Sequence, residues 1–219
     1  MYYIIEVINL LEEGLTYSLS YLTNTDKRIN VLYLFSSFVL AFYVYKKSNI
    51  KGPFLSYVFN RKVWLGKSAF VDYMLFFLNG FLKVSLIGPY IILGFYIAFY
   101  VNETLLQLFG FYSILSVAET LILYTITLTI INDFFSYLTH YLMHKISFLW
   151  EFHKIHHSAT TLNPLTQYRL HPIELIINNI RGILIFGLIT GIFDYLSHHQ
   201  IEKVMFLGVN VFTFLFFFL

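Results

Sequence analysis

The sequence predicts an all-α fold: a polytopic helical membrane protein of about four to five spans with a cytoplasmic histidine-rich helical cap. Three observations predict it. Hydrophobic residues make up 58% of the 219-residue chain and charged residues only 12%, where soluble domains carry about 25% charged. Mean hydropathy is +0.70, and the apolar residues fall into runs of the length a bilayer core requires. Six of the eight histidines (His140, His144, His153, His156, His157 and His171) lie in one polar stretch between apolar runs.

Composition also excludes several classes. A net charge of +2 with no long basic run argues against nucleic acid as a partner. The chain has no cysteine, which removes disulfides, zinc–thiolate sites, cysteine-held iron–sulfur clusters and thiol nucleophiles. Metal chemistry here must use histidine, carboxylates or water. The start carries Glu6, Glu12 and Glu13 and no basic n-region, so it does not read as a cleaved signal peptide.

In chain order, residues 1–25 alternate apolar and acidic positions and read as an amphipathic helix, lying at the interface or packed on the bundle. Residues 29–45 are apolar and flanked by basic pairs, near the lower limit of length for a span. Lys46, Lys47, Lys51, Arg61, Lys62 and Lys67 follow with no acid between them, and by the positive-inside rule this loop is cytoplasmic. Residues 70–101 are apolar apart from Asp72, Asn79 and Lys83. A span is expected at 84–101, preceded by an interfacial helix or by the first part of a long tilted one. A short, weakly polar linker at 102–107 is expected on the far side.

Residues 111–131 then span back. Glu119 lies inside that run, either as an intramembrane functional acid or as a residue near the interface or paired within the bundle. A further apolar run reaches 193, a polar patch covers 194–203, and 204–219 is apolar again. Those last sixteen residues make about 24 Å of helix, short of a full crossing. The expectation is a single membrane domain over 1–219, truncated at its C-terminus, with the missing part on the cytoplasmic side.

The histidine spacing carries the chemistry. Imidazole is the commonest neutral metal ligand. His140 and His144 are four apart and share one helix face; His153, His156 and His157 at i, i+3 and i+4 share another. Asp133, Tyr137, His140 and His144 form one stripe, in which Asp133 is either a hydrogen-bond partner for a metal-bound imidazole or a helix cap or surface acid. There is no HExxH motif and no Glu-x-x-His pair, which sets aside zincin proteases and ferritin-like carboxylate centres. Six close histidines exceed the needs of one tetrahedral zinc and suit two metals. Iron and copper both accept imidazole, so ligand type leaves the metal open.

The ordered series Asp133-x3-Tyr137-x2-His140-x3-His144, Leu149–Trp150, His153-x2-His156–His157–Ser158 and Arg169-x-His171–Pro172-x-Glu174 resembles the fatty acid hydroxylase/sterol desaturase superfamily of membrane di-iron oxidases. The resemblance is close over about forty residues and loose in the flanking hydrophobic layout. It implies iron ligands at His140, His144, His153, His156 and His157, and His171 as a sixth. It further implies two irons, O2 as co-substrate and electrons from an external donor, a cytochrome b5- or ferredoxin-like protein or a reductase. The reaction class is hydroxylation or desaturation of a fatty acyl, sphingolipid or sterol C–H bond.

The active site would then lie on the cytoplasmic face of a bacterial inner membrane or the endoplasmic reticulum. Tyr137, Arg169 and Glu174 are expected behind the ligands, with Glu174 orienting His171 or Arg169. Asn163, Thr166, Gln167 and Arg169 lie between the ligands and read as loop-holding residues in preference to bridges to metal-bound oxygen, and Trp150 as an interface anchor rather than a substrate contact.

One element of the family pattern is missing. A second HxxHH cluster should follow the final hairpin, and His198–His199 does not supply it; those two read as interfacial polar residues. Three other classes compete. A membrane metal transporter needs polar residues lining a path across the bilayer, whereas the ionisable residues here bunch on one side. A haem protein needs two axial histidines on separate spans. A non-catalytic metal-binding protein or scaffold of the same fold differs only in its chemistry.

Overall fold

The computed structural model describes residues 2–24, 27–48, 50–111, 114–197, 205–206 and 209–210, and nearly all of its regular structure is helical, as expected. The chain divides into two compact units. The first comprises Met1–Leu86 with Phe148–Leu175, the second Ile87–Ser147 with Ile176–Leu219.

The first unit is built on α1 (Tyr2–Ser20) and α5 (Lys67–Leu82). These helices approach closely because small residues face each other. A Cβ placed on Gly80 would lie 1.9 Å from Ser18 Oγ, so the missing side chain leaves room for that hydroxyl. Tyr21, Ile29 and Phe76 form the core beside them, with Tyr168 packed on it. The Tyr21 ring meets Phe76 and Tyr168 edge-on, at centroid distances of 5.6 and 5.4 Å, the arrangement that aromatic quadrupoles favour.

Helix α2 (Val31–Lys47) starts where the Asn30 side chain accepts from the Leu32 N–H. It has no buried residue; a helix apolar all round and unburied by protein is one suited to lipid. Two short helices, α3 (Phe54–Val58) and α4 (Arg61–Trp64), carry the basic segment to α5. The first unit is completed by α8 (Ser147–His157) and the loop that follows it.

The second unit holds α6 (Ile92–Phe109), α7 (Val117–Lys145) and α9 (Pro172–Ser197), and α7 and α9 pack through Tyr124, Leu128, Ile185 and Phe193. The Tyr124 and Thr190 hydroxyls are 2.8 Å apart and satisfy each other. A Cβ on Gly187 would lie 2.6 Å from Ile97 Cβ; the absent side chain lets α9 seat against α6.

Three helical runs are long and apolar enough to cross a membrane: Lys67–Phe109, Val117–Lys145 and Pro172–Ser197. The first holds 43 residues, about twice what one crossing needs. It is broken by a π-helical turn at Lys83–Ile87 and a 3-10 turn at Gly88–Ile91, where Pro89 removes a backbone donor.

Two expected boundaries move. The 102–107 stretch, expected as a linker, is helical to Phe109, and within it Asn102 is buried and donates to the Asp194 carboxylate. The next helix starts at Val117, not at 111. Its first turn is a capping box: Glu119 accepts from the Ser116 N–H and hydroxyl while Ser116 accepts from the Glu119 N–H. Glu119 is thus an exposed cap, not an acid in the middle of a span. Of the last apolar segment, Met205–Phe206 and Val209–Asn210 pair as two-residue antiparallel strands, β1 and β2. The rest of 204–219 and the His198–His199 pair lie outside the described residues.

Candidate metal centre

Five of the six histidines sit on two helices, one in each unit, and His171 lies in the loop before α9. On α7, in the second unit, His140 and His144 are one turn apart. Their Nε2 atoms are 3.2 Å apart and the rings meet edge-on at 4.8 Å. Both are exposed. Asp133 and Tyr137 precede them on the same helix and are also exposed. Tyr137 stacks on Tyr141 at 6.2 Å. Asp133 has no hydrogen bond or ion pair to a described residue, and its place seven residues before His140 puts it two turns away.

Helix α7 ends at Lys145, Ile146 is extended (φ −94°, ψ 115°), and α8 begins at Ser147. On α8, in the first unit, His153 and His157 repeat the geometry of the first pair: their Nε2 atoms are 3.1 Å apart. Two nitrogens held about 2.1 Å from one ion stand roughly 3.0–3.4 Å apart for bond angles between square and tetrahedral. Each pair therefore has the separation of two ligands on one metal. His153 is 1% exposed. Its Nδ1 is 3.0 Å from the Glu174 Oε1 of the first turn of α9, and Glu174 is itself 4% exposed.

A carboxylate on Nδ1 fixes the proton there and turns the Nε2 lone pair outward, the arrangement commonly found behind metal-bound histidine. Glu174 was expected on His171 or Arg169 and is placed on His153. The link spans the whole loop from α8 to α9, and no local pattern in the sequence announces it.

His156 stacks on His153 at 5.6 Å. Its Nδ1 is buried with no hydrogen-bond partner among the described residues, a costly state for a polar nitrogen that nothing coordinates. Trp150 packs within this group, its ring 5.7 Å from that of His157. His171 is different. Its Nδ1 accepts from the Ile173 N–H at 3.1 Å, and its carbonyl accepts from Leu175, so it caps the start of α9. Accepting at Nδ1 leaves the neutral ring's proton on Nε2. The ring lies 4.9 Å from Phe152, and burial lowers the His171 pKa below its ordinary value, which favours the neutral form.

Arg169 is 1% exposed and pairs with Asp72, which is fully buried, at 2.6 Å. Asn163 and Thr166 also donate to Asp72, and Gln167 donates to the Pro164 carbonyl; the expected loop-holding residues do hold the loop. Asp72 is the polar residue that sequence reasoning passed over. Its signal was a lone acid in an apolar run, for which a buried partner is the usual explanation.

The residues present fit a metal. The donors are neutral imidazoles, each helix offers a pair at ligand spacing, His153 has its proton fixed on the far nitrogen, and His156 has an orphaned ring nitrogen. The described chain thus combines three helices long and apolar enough to cross a membrane with histidines that could hold a metal ion. The family model for fatty acid hydroxylase matches residues 125–218, a stretch that contains all six histidines of the series. The match falls in the fatty acid hydroxylase/sterol desaturase superfamily that the histidine series resembles. No curated protein and no solved structure matches the chain.

Proposed function

We propose that the chain is an O2-dependent lipid oxidoreductase whose metal centre is two irons held by His140, His144, His153, His156 and His157. The observation that carries this is the Glu174–His153 hydrogen bond beside the paired Nε2 atoms of His153 and His157, within the region the family model matches. Only eight residues lie between His144 and His153 in sequence, which favours one shared centre over two independent ones. His171 is assigned to the α9 cap.

Bound there, the iron pair supplies O2 activation and the oxidising power for an unactivated C–H bond of a fatty acyl, sphingolipid or sterol chain. The protein's part is geometric and electrostatic. Glu174 holds the His153 proton on Nδ1 and keeps Nε2 a lone-pair donor. The buried side of α8 excludes water from His153 and His156. The apolar helices bring a lipid from the bilayer, and electrons arrive from a cytochrome b5- or ferredoxin-like donor or a reductase on the cytoplasmic face. Tyr137 and Asp133 lie on the exposed flank of the α7 pair, where a substrate or donor approaches.

The test is metal content and turnover together. The protein purified from its full reading frame and loaded anaerobically with ferrous iron is expected to retain about two irons and to lose them on His156→Ala, while the 219-residue chain, which lacks a second HxxHH cluster, is expected to hold iron weakly. Incubation with membrane lipid extracts, with and without O2, is expected to yield a hydroxylated or desaturated product only with O2 and a reductant. Absence of bound iron sinks the proposal. Iron binding without any O2-dependent product leaves a non-catalytic metal-binding protein of the same fold.

A further inference from the structure

One face of α5 is devoted to the loop that carries the chain from His157 to His171. Ser68, Asp72, Phe76 and Asn79 stand at i, i+4, i+8 and i+11 and so share a stripe. Ser68 Oγ accepts from the Thr160 N–H at 3.3 Å and from Arg169 Nη2 at 2.8 Å. Asp72 Oδ2 accepts from Asn163 Nδ2 and from Thr166 Oγ1, both at 2.8 Å, while its Oδ1 accepts from Arg169 Nε at 2.6 Å. Arg169 also reaches Ser158 Oγ, directly after His157, at 3.3 Å. Phe76 packs on Tyr168. Asn79 Nδ2 donates to the carbonyl of Leu170, the residue before His171, at 2.9 Å. The stripe thus grips the loop at both ends and in the middle.

We infer that Asp72 is a positioning residue for the metal centre, acting through the 158–171 loop on His153 and His157. This rests on the reading of those histidines as metal ligands. The argument is one of cost. A fully buried carboxylate is tolerated only when its lone pairs are engaged, and here three donors, all from one loop, engage it. Such a set has one geometry that satisfies every member, so it fixes the loop rather than merely attaching it.

The fixed loop sets where α8 ends, through Ser158, and where α9 begins, through Leu170. Glu174 enters on that first turn of α9 to meet His153 Nδ1. Asp72 thereby governs the distance between the carboxylate and the imidazole it orients, without touching either. It lies outside the residues the family model matches.

The test uses the intact chain in detergent as wild type, Asp72→Asn and Thr166→Val; the last removes one donor to Asp72, and with it the acceptor of the Asn163 N–H, at unchanged charge and similar shape. Amide hydrogen exchange is read over 158–171, and Co2+ is titrated with its visible ligand-field bands recorded. In Asp72→Asn, exchange over 158–171 is expected to rise about tenfold while α7 is unchanged. The Co2+ dissociation constant is expected to rise about tenfold with shifted bands. Thr166→Val is expected to show the same pattern, smaller, and decides the matter alone if Asp72→Asn does not fold. Exchange unchanged in the folded variants overturns the inference. Faster exchange with wild-type Co2+ affinity and bands overturns the link to the histidines. If wild type binds no Co2+, the metal-centre reading fails and with it that link, while exchange still decides whether Asp72 sets the loop.

Discussion

His153 Nδ1 lies 3.0 Å from Glu174 Oε1 across twenty-one residues of sequence. Both groups are almost fully buried, and the other Glu174 oxygen has no partner among the described residues. A carboxylate left half-satisfied out of water is expensive, and the compensation is a histidine whose outward nitrogen is committed to accepting. The relationship predicts that Glu174→Ala weakens metal retention by about 10–100-fold. Glu174→Gln, which keeps an acceptor oxygen, loses less. Metal titration of the purified variants checks the order wild type, Gln, Ala.

His171 separates capping from ligation. His171→Asn keeps a side chain able to accept from the Ile173 N–H but removes the imidazole. Metal content is expected to remain at the wild-type level, and thermal stability likewise. His171→Ala is expected to cost about 1 kcal/mol of stability through the lost cap, with metal content again unchanged. Loss of metal in the Asn variant would place His171 among the ligands.

Arg169 and Asp72 are both buried, so removing one partner leaves an uncompensated charge. Arg169→Met is expected to destabilise the chain by about 3–5 kcal/mol, measured by thermal melting in detergent. Replacing both, Arg169→Met with Asp72→Leu, removes the unpaired charge and is expected to recover most of that loss. The double variant remains defective in metal retention, because the loop has lost its anchor.

Gly80 predicts a steric defect with a specific cure. Gly80→Ala drives a methyl group into Ser18 Oγ, at an expected cost of about 1–3 kcal/mol. Adding Ser18→Ala removes the atom in the way, since that hydroxyl otherwise bonds only the Gly14 carbonyl of its own helix. The double variant is expected to melt closer to wild type than Gly80→Ala does. A melt no higher than that of the single variant would show that the obstruction lies in the backbone.

The paired imidazoles predict an unequal ligand series. His153→Ala removes a ligand and also strands Glu174, so it is expected to lose metal and stability together. His140→Ala, on the exposed α7 pair, is expected to lose metal with little change in melting temperature. Elemental analysis and thermal melts on the same preparations separate the two effects.

Sequence alone determined the helical class, the apolar runs and the identity of the histidines, because each rests on short-range periodicity. Hydrophobic runs report membrane-length helices residue by residue, and i, i+3 and i+4 spacing places imidazoles on one helix face. It also showed 102–107 as polar and Glu119 as an acid in an apolar run, but not what became of them. Asn102 is helical and donates to Asp194, and the Ser-x-x-Glu at 116–119 is a capping box that local pattern did carry.

Only the tertiary structure decided which carboxylate meets which histidine, that His171 spends its Nδ1 on a helix cap, and that Asp72 holds the loop. The first and last of those outcomes depend on which buried polar atoms find partners more than twenty or ninety residues away, whereas the His171 cap is a contact two residues long. Burial makes each such pairing obligatory, and a one-dimensional pattern records the polar residue without its partner.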